Sequence, residues 1–167
     1  VVGVDEFAPN VNDDAFTNGS AKAILTYATQ AAGILGITPP AVWKEASTNL
    51  RFNYLKNQVM MQHSLYNGEV IKQADVNLLA YPLETVTDPA SILRDLQYYE
   101  SRISAEGPAM SHSILSILYS RMGNAERAYE LFRKSFDPNK RPPFGALAET
   151  AQFDNTYFAT GAGGMLQ

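Results

Sequence analysis

Residues 108–136 read PAMSHSILSILYSRMGNAERAYELFRKSF and predict two helices joined by a short turn. Pro108 suits the first turn of a helix, because its missing N–H would have no partner there. Gly123 suits the left-handed residue that ends a helix, and Asn124 is a good N-cap for the next one. Apolar residues recur at helical spacing on both sides of this turn: Met110, Ile114, Ile117, Leu118, Met122, Ala128, Leu131, Phe132 and Phe136. The stretch therefore predicts an antiparallel helical hairpin.

The rest of the chain is mostly helical in the same way. Asp88-Pro89 combines a capping side chain with proline at the first helical position. Asp13-Asp14 places acid at another helix start, and an apolar face with the spacing of a helix follows. The predicted helices cover about residues 13–35, 39–50, 72–81, 88–100, 108–122 and 124–136. Six helices joined by short links predict an all-α fold.

One segment does not follow the helical spacing of apolar residues. Two apolar runs, at residues 59–65 and 69–71, flank Asn67-Gly68. Asn-Gly between apolar runs indicates a tight hairpin, because a type I′ turn needs positive φ at both central residues. We expect one small β-hairpin here.

Composition excludes several classes of protein. The 167 residues include 13 basic and 17 acidic residues, a net charge of −4, which disfavours a nucleic-acid-binding surface. No apolar run approaches the ~20 residues of a bilayer-spanning helix. Cysteine is absent, so disulfides, thiolate catalysis and zinc–sulfur sites are excluded. Neither a nucleic acid nor a membrane is expected as a partner, and chemistry must come from carboxylates, hydroxyls, amides and amines.

Two glutamates stand in unusual surroundings. Glu6 lies in GVDEFAPN (residues 3–10), where apolar neighbours and Asp5 would raise its pKa, as suits a general acid. The alternative is a solvated loop. Glu149 is the only charge between Arg141 and Asp154, so it is either exposed or held for a purpose. Two carboxylates from distant positions are the usual equipment for glycoside hydrolysis.

Lys72, Gln73 and Asp75 place a cation, an amide and an acid at a predicted helix start. Ammonium and amide groups at one helix end can bind several sugar hydroxyls. The alternative is structural, with Asp75 assisting the helix start and Lys72 pointing to water.

Four segments together resemble glycoside hydrolase family 65. GVDEF (residues 3–7) and NVNDDAFTN (residues 10–18) are similar to its Gly-Pro-Asp-Glu-Tyr and Asn-Val-Asp-Asn-x-x-Tyr/Phe-Thr-Asn signatures. IKQADV (residues 71–76) resembles its Lys-Gln-Ala-Asp segment, and residues 96–100 and 127–132 resemble later helices. Val4, Phe7 and Ala8 depart from the family's Pro, Tyr and the His of its phosphorylases.

The resemblance implies an (α/α)6 toroid and an inverting reaction on α-linked glucosides. Residues 1–167 would be the C-terminal part of one catalytic domain, about half of the toroid. The abrupt ends of the sequence fit this interpretation, with the upstream part on the same polypeptide or on a companion chain. Glu6 matches the general acid, and Lys72 and Gln73 match residues that hold the glucose unit. Such a reaction needs no cofactor and no metal.

The family contains hydrolases and phosphorylases. Residues 104–111 (SAEGPAMS) resemble the Gly-Pro-Ala-Met stretch of acid trehalases, kojibiose hydrolase and the glucosidase of glucosyl-galactosyl-hydroxylysine, rather than the phosphate-binding His-Asp-Ser-Ser run. Glu149 falls where those hydrolases place their base, and Glu106 would repel phosphate. We therefore expect an inverting hydrolase, with a phosphorylase or a non-catalytic sugar-binding or scaffold fragment as alternatives.

Overall fold

A computed structural model describes residues 1–152 and 156–167. These residues form six α-helices: α1 (Ala15–Ile34), α2 (Ala41–Asn49), α3 (Pro89–Glu100), α4 (Met110–Arg121), α5 (Ala125–Lys134) and α6 (Ala159–Leu166). Two short strands, β1 (Lys140–Arg141) and β2 (Ala146–Leu147), form an antiparallel sheet. The expected all-α architecture with six helices is confirmed, and one small hairpin is present, although it lies at residues 140–147 rather than at the predicted position. Within these ranges no helix has both the length and the hydropathy that crossing a bilayer requires.

The helix ends follow the predicted capping residues. Gly123 has a φ of 79°, and the side chain of Asn124 accepts a hydrogen bond from the N–H of Arg127 at the start of α5. Asp88 caps α3 in the same way, since its carboxylate accepts from the N–H of Ser91 at 2.9 Å. Short links and these caps make α4 and α5 an antiparallel pair.

The buried face of α4 differs from the predicted stripe. Ser111, Leu115, Leu118 and Tyr119 are buried, whereas Met110 and Ile114 line a cavity. The apolar pattern includes Leu118 but misses Ser111, because it counts serine as solvent-facing. Ser111 is buried because its hydroxyl accepts a hydrogen bond from the N–H of Ala74 at 3.1 Å.

The apolar face predicted for α1, which included Ala23, Ile24, Tyr27 and Leu35, is only partly buried. The helix buries its small residues, Ala15, Gly19 and Ala23, while Ile24 and Tyr27 are exposed. The reason is close approach, since a Cβ on Gly19 would lie 2.1 Å from a methyl carbon of Leu79. Only a small side chain allows the helix to pack this tightly.

The hairpin predicted at residues 59–71 does not form. Gly68 has a positive φ of 97°, but Asn67 does not, so the turn is not of the predicted type. Tyr54 instead pairs with Met60, and Ile71 pairs in parallel with Ile103. Hydrogen bonds to residues distant in sequence decide this segment.

Two helical predictions near the candidate site also need correction. Residues 72–81 form only a 3-10 turn, Val76–Leu79, because Asp75 adopts non-helical backbone angles and bonds to the first turn of α1. Conversely, α6 forms across a glycine-rich segment in which no helix was predicted. Gly164 lies against Ser113 of α4, and this close approach favours a residue without a side chain.

The helix α3 carries a buried acid, Asp95. Asp95 accepts a hydrogen bond from the N–H of Met60 at 3.0 Å. Burial raises the pKa of Asp95 to about 6. The folded protein therefore holds a proton on Asp95 at pH values where the unfolded chain has already released it.

We predict that Asp95→Asn makes the intact protein more stable than the wild type above pH 6. The free energy of unfolding of the wild type falls as the pH rises from about 4 to 6, because ionised Asp95 is disfavoured in the folded protein. Asparagine stays neutral and still accepts the hydrogen bond from the N–H of Met60. The expected gain is on the order of 1–2 kcal/mol by urea unfolding. If Asp95→Asn were less stable than the wild type by the same amount at pH 4 and at pH 8, the prediction would be contradicted.

Candidate functional site

The site begins at a turn that Asp5 organises. Asp5 is 1% exposed, and its carboxylate accepts from the backbone N–H groups of Phe7 and Lys72 and from the amide of Gln62. The N–H of Ala8 also donates to its carbonyl at 3.1 Å, so the residue opens a tight turn. Asp5 thereby joins the loop that carries Glu6 to the segment that carries Lys72.

Glu6 points away from the buried side and meets Lys72. The Nζ of Lys72 lies 2.5 Å from Oε2 of Glu6, although the two residues are 66 positions apart. The glutamate side chain is 62% exposed and the lysine 21%. The hydrogen bond and the charge of Lys72 lower the pKa of Glu6. The expected raised pKa is therefore wrong, because Glu6 is solvated and has a cationic partner that the local sequence does not reveal.

Lys72 is held on both sides by backbone. Ile71 accepts from the N–H of Ser104 and donates to the carbonyl of Arg102, which aligns it beside residues 102–104. Gly107 then packs on the carbonyl of Lys72, so closely that a Cβ would lie 2.2 Å from that oxygen. Residues 102–107 thus position the lysine.

Glu149, near the other end of the chain, acts on the same lysine through its charge. It follows β2, and its carbonyl accepts from the N–H of Ala109 and from the side-chain amide of Asn139. The charge of Glu149 contributes to raising the pKa of Lys72, after the larger effect of Glu6. Both predicted acids are therefore within electrostatic reach of one ammonium group.

Gln73 lies between this cluster and a cavity. The residue is 8% exposed, its side chain helps to lower the pKa of Glu6, and its Oε1 has no partner among the described residues. It lines a cavity of about 450 Å³, which does not include Glu6, Lys72 or Glu149 among its lining residues. The cavity lies between α4 and α6 and is walled mainly by Val4, Ala74, Leu78, Met110, Ile114 and Gly164.

Two residues that position the site were missed. Asp5 was considered only as a neighbour of Glu6, although aspartate at the first position of a turn often bonds its own backbone two residues later. Gly107 was quoted only as part of a motif. No local signal reveals its contact, because the partner carbonyl is 35 residues away in sequence.

The comparisons with known proteins agree on one family. The family described as "Glycosyl hydrolase family 65 central catalytic domain" matches residues 43–140. A kojibiose hydrolase of Mucilaginibacter mallensis is 48% identical over all of this chain. A periplasmic or secreted acid trehalase of Candida glabrata is 34% identical over 94% of it. The chain spans 25% of the first relative and 13% of the second.

A solved structure supports the fold. It is described as a kojibiose phosphorylase from the human microbiome, and it superposes on 81% of this chain with a TM-score of 0.65. The matched part is 23% of that protein's chain, and the sequences are 23% identical. At this identity the likeness concerns the helical architecture alone.

We predict that Gly107→Ala destabilises the intact protein by about 1–3 kcal/mol, because the new methyl group collides with the Lys72 carbonyl. Gly33→Ala is the matched control, since no atom lies within 4 Å of its Cβ position. This helical substitution should be neutral or stabilising by up to about 1 kcal/mol. Equal urea midpoints for the two variants would contradict the proposed close contact.

Proposed function

Because the chain belongs to glycosyl hydrolase family 65, we propose that the protein containing it hydrolyses α-linked glucose from a disaccharide or a terminal α-glucoside, with inversion. The observation that carries this proposal is Lys72. Its ammonium contacts Glu6, and the charge of Glu149 helps to raise its pKa. We propose that this cation also binds the sugar.

In the proposed reaction Glu6 is the general acid and Glu149 the general base. Glu6 donates its proton to the glycosidic oxygen as the bond to the anomeric carbon breaks. Glu149 takes a proton from the water that attacks that carbon on the opposite face. One proton leaves Glu6 and one arrives at Glu149, so the two carboxyls exchange protonation states. Both must re-equilibrate with solvent before the next turnover.

The ion pair sets a condition on this reaction. Lys72 favours the ionised form of Glu6, whereas a general acid must carry a proton. Substrate hydroxyl groups that accept hydrogen bonds from Lys72 would compete with Glu6 for the ammonium. We propose that glucose binding frees Glu6 from Lys72, and that the buried oxygen of Gln73 accepts a bond from a sugar hydroxyl.

The relatives suggest which substrates to test first. The two curated relatives described above are named for kojibiose and trehalose, and both sugars carry α-linked glucose. The kojibiose hydrolase is the more similar of the two. We therefore propose kojibiose as the first substrate and trehalose as the second.

We further propose that residues 1–167 form the C-terminal part of a single (α/α)6 catalytic domain. Four large apolar side chains of α1 and its C-cap, Ile24, Tyr27, Ile34 and Leu35, are more than half exposed. An upstream part of the domain, on the same polypeptide or a companion chain, would cover them. This chain spans only 25% of the length of the kojibiose hydrolase, which supports this assignment.

We predict that Glu6→Gln and Glu149→Gln each lower kcat of the intact protein on kojibiose by about 10²–10⁴-fold, because each removes one proton-transfer group. Glu84→Gln is the matched control. Its side chain is also 62% exposed and pairs with an arginine, Arg121, away from the site. Near-normal turnover by either site variant would contradict the role of that glutamate.

The same assay separates hydrolysis from phosphorolysis. Glu106 precedes Gly107, which contacts the Lys72 carbonyl, and its negative charge disfavours phosphate there. Glucose release should therefore be independent of inorganic phosphate. Phosphate-dependent release of a sugar 1-phosphate would identify a phosphorylase, and no turnover of any α-glucoside would favour a binding or scaffold role.

We also predict that Lys72→Gln shifts the alkaline limb of kcat/KM to higher pH. Lys72 lowers the pKa of Glu6 in the free protein, so removal of its charge lets Glu6 keep its proton to a higher pH. The overall kcat/KM should fall as well, since a sugar contact is lost. Lys72→Arg keeps the charge and should leave the limb in place. An unmoved limb in Lys72→Gln would contradict the ion pair's influence.

A further inference from the structure

Three aspartates are buried in or beside the loop that carries Glu6. Asp5 and Asp14 are each 1% exposed, and Asp75 is fully buried. Both carboxylate oxygens of Asp5 receive hydrogen bonds, as described above. Asp14 and Asp75 differ, because each has one oxygen that receives a backbone hydrogen bond and a second, Oδ2, without a donor among the described residues.

Asp14 and Asp75 meet at the beginning of α1. The N–H of Thr17 donates to Oδ1 of Asp14 at 2.8 Å, and the N–H of Phe16 donates to Oδ1 of Asp75 at 3.3 Å. Adjacent amides of one helical turn therefore hold both carboxyls at the same place, and the negative charge of Asp14 acts on Asp75. Neither carboxyl forms an ion pair with a lysine or arginine within residues 1–152 and 156–167.

Two ionised carboxylates cannot donate to one another. Hydrogen bonding between them requires a proton, and a buried pair without that proton would carry two unscreened negative charges. One proton on the pair resolves both problems, since it gives each orphaned Oδ2 a hydrogen-bond partner.

We propose that Asp14 and Asp75 share one proton, which Asp75 donates from its Oδ2 to Oδ2 of Asp14, and that Asp75 in this neutral form is the positioning residue for Lys72 and Gln73. The proton is assigned to Asp75 because Asp14 caps a 20-residue helix and accepts the shorter amide bond. The positioning role rests on the proposed function, whereas the shared proton does not.

The surroundings of the pair support this assignment. Desolvation, first, and then the charge of Asp14 raise the pKa of Asp75. Asp5 faces it from the Glu6 loop and acts in the same direction. On α3 the facing group is Tyr99, which donates its hydroxyl proton to the carbonyl of Met60. Lys72, on the same segment as Asp75, is engaged by Glu6.

The pair joins three parts of the site. A Cβ on Gly3 would lie 2.1 Å from Oδ2 of Asp14, so the loop that leads to Glu6 packs on the pair. Asp75 lies two residues after Gln73 and ties that segment to α1. Loss of the proton would push the segment 72–75 away from α1 and disturb Lys72 and Gln73.

The test compares Asp75→Asn, Asp14→Asn and Asp75→Ala in the intact protein. Either asparagine supplies a neutral N–H donor between the two side chains and needs no proton. Because the folded-state pKa of Asp75 is raised, the wild type loses stability as the pH rises from about 4 through that pKa. The urea midpoints of the asparagine variants should fall less over the same pH range. Asp75→Ala should be destabilised at every pH, since it leaves Asp14 without a donor.

Asp88→Asn is the matched control at an exposed helix cap. The hydrogen bond from Ser91 lowers the pKa of Asp88, so this variant should differ from the wild type only slightly and with the opposite dependence on pH. In the hydrolysis assay Asp75→Asn should keep kcat and KM within about threefold of the wild type, while Asp75→Ala loses at least about tenfold.

Three results would overturn the proposal. They are a pH slope of Asp75→Asn equal to that of the wild type, destabilisation of Asp75→Asn as severe as that of Asp75→Ala, and failure of both asparagine variants to fold. If the protein hydrolyses no α-glucoside, the unfolding measurements still test the shared proton. Failure of the proposed function is thereby distinguished from failure of this inference.

Discussion

The site depends on a single buried carboxylate. Asp5 brings together the turn at residues 5–8, the side chain of Gln62 and the backbone of Lys72. A buried anion is stable only when donors surround it, and here all three segments supply one. Since Glu6 follows Asp5 directly, the same turn that buries one acid presents the next to solvent. The geometry of the proposed general acid is therefore a consequence of its neighbour's burial.

The ion pair between Glu6 and Lys72 joins an exposed acid to a less exposed cation. The environment of Glu6 favours its charged form, unlike the apolar pocket usually associated with a general acid. In the proposed mechanism Lys72, whose pKa is also raised by the charge of Glu149, binds sugar hydroxyls and releases Glu6 in the same event. In the proposed mechanism Glu6 is ionised in the free protein. Substrate binding frees Glu6 from Lys72 and so raises the proton affinity of Glu6.

Local signals in the sequence predicted the helices whose ends are set by neighbouring residues. Asp14, Asp88 and the Gly123-Asn124 pair mark real helix boundaries, because a cap and its partner lie within four residues. Residues 59–75 could not be predicted in this way. Their conformation depends on bonds from Met60 to Asp95, from Ile71 to Arg102 and from Asp75 to Phe16, each more than 30 residues distant.

The candidate site shows the same division. The family signatures indicated Glu6, Lys72, Gln73 and Glu149, yet nothing in the local sequence indicated that Glu6 and Lys72 touch. The sign of the pKa change at Glu6 was wrong for that reason. The roles of Asp5 and Gly107 could not be predicted, because a buried turn and a backbone contact leave no pattern of apolar residues. Local propensity reports helices well, whereas the site is assembled from long-range polar contacts.

The stereochemistry of the first product tests the proposed reaction most directly. Proton NMR can follow the anomeric signals of glucose during early hydrolysis of kojibiose by the intact protein, before mutarotation mixes the anomers. Direct attack of water, assisted by Glu149 and opposite to Glu6, predicts β-glucose as the first anomer from the α-linked unit. The reducing-end glucose of kojibiose is released with the anomeric composition of the substrate in either case, so an initial excess of α-glucose over that composition would show retention and contradict the assigned roles of both glutamates.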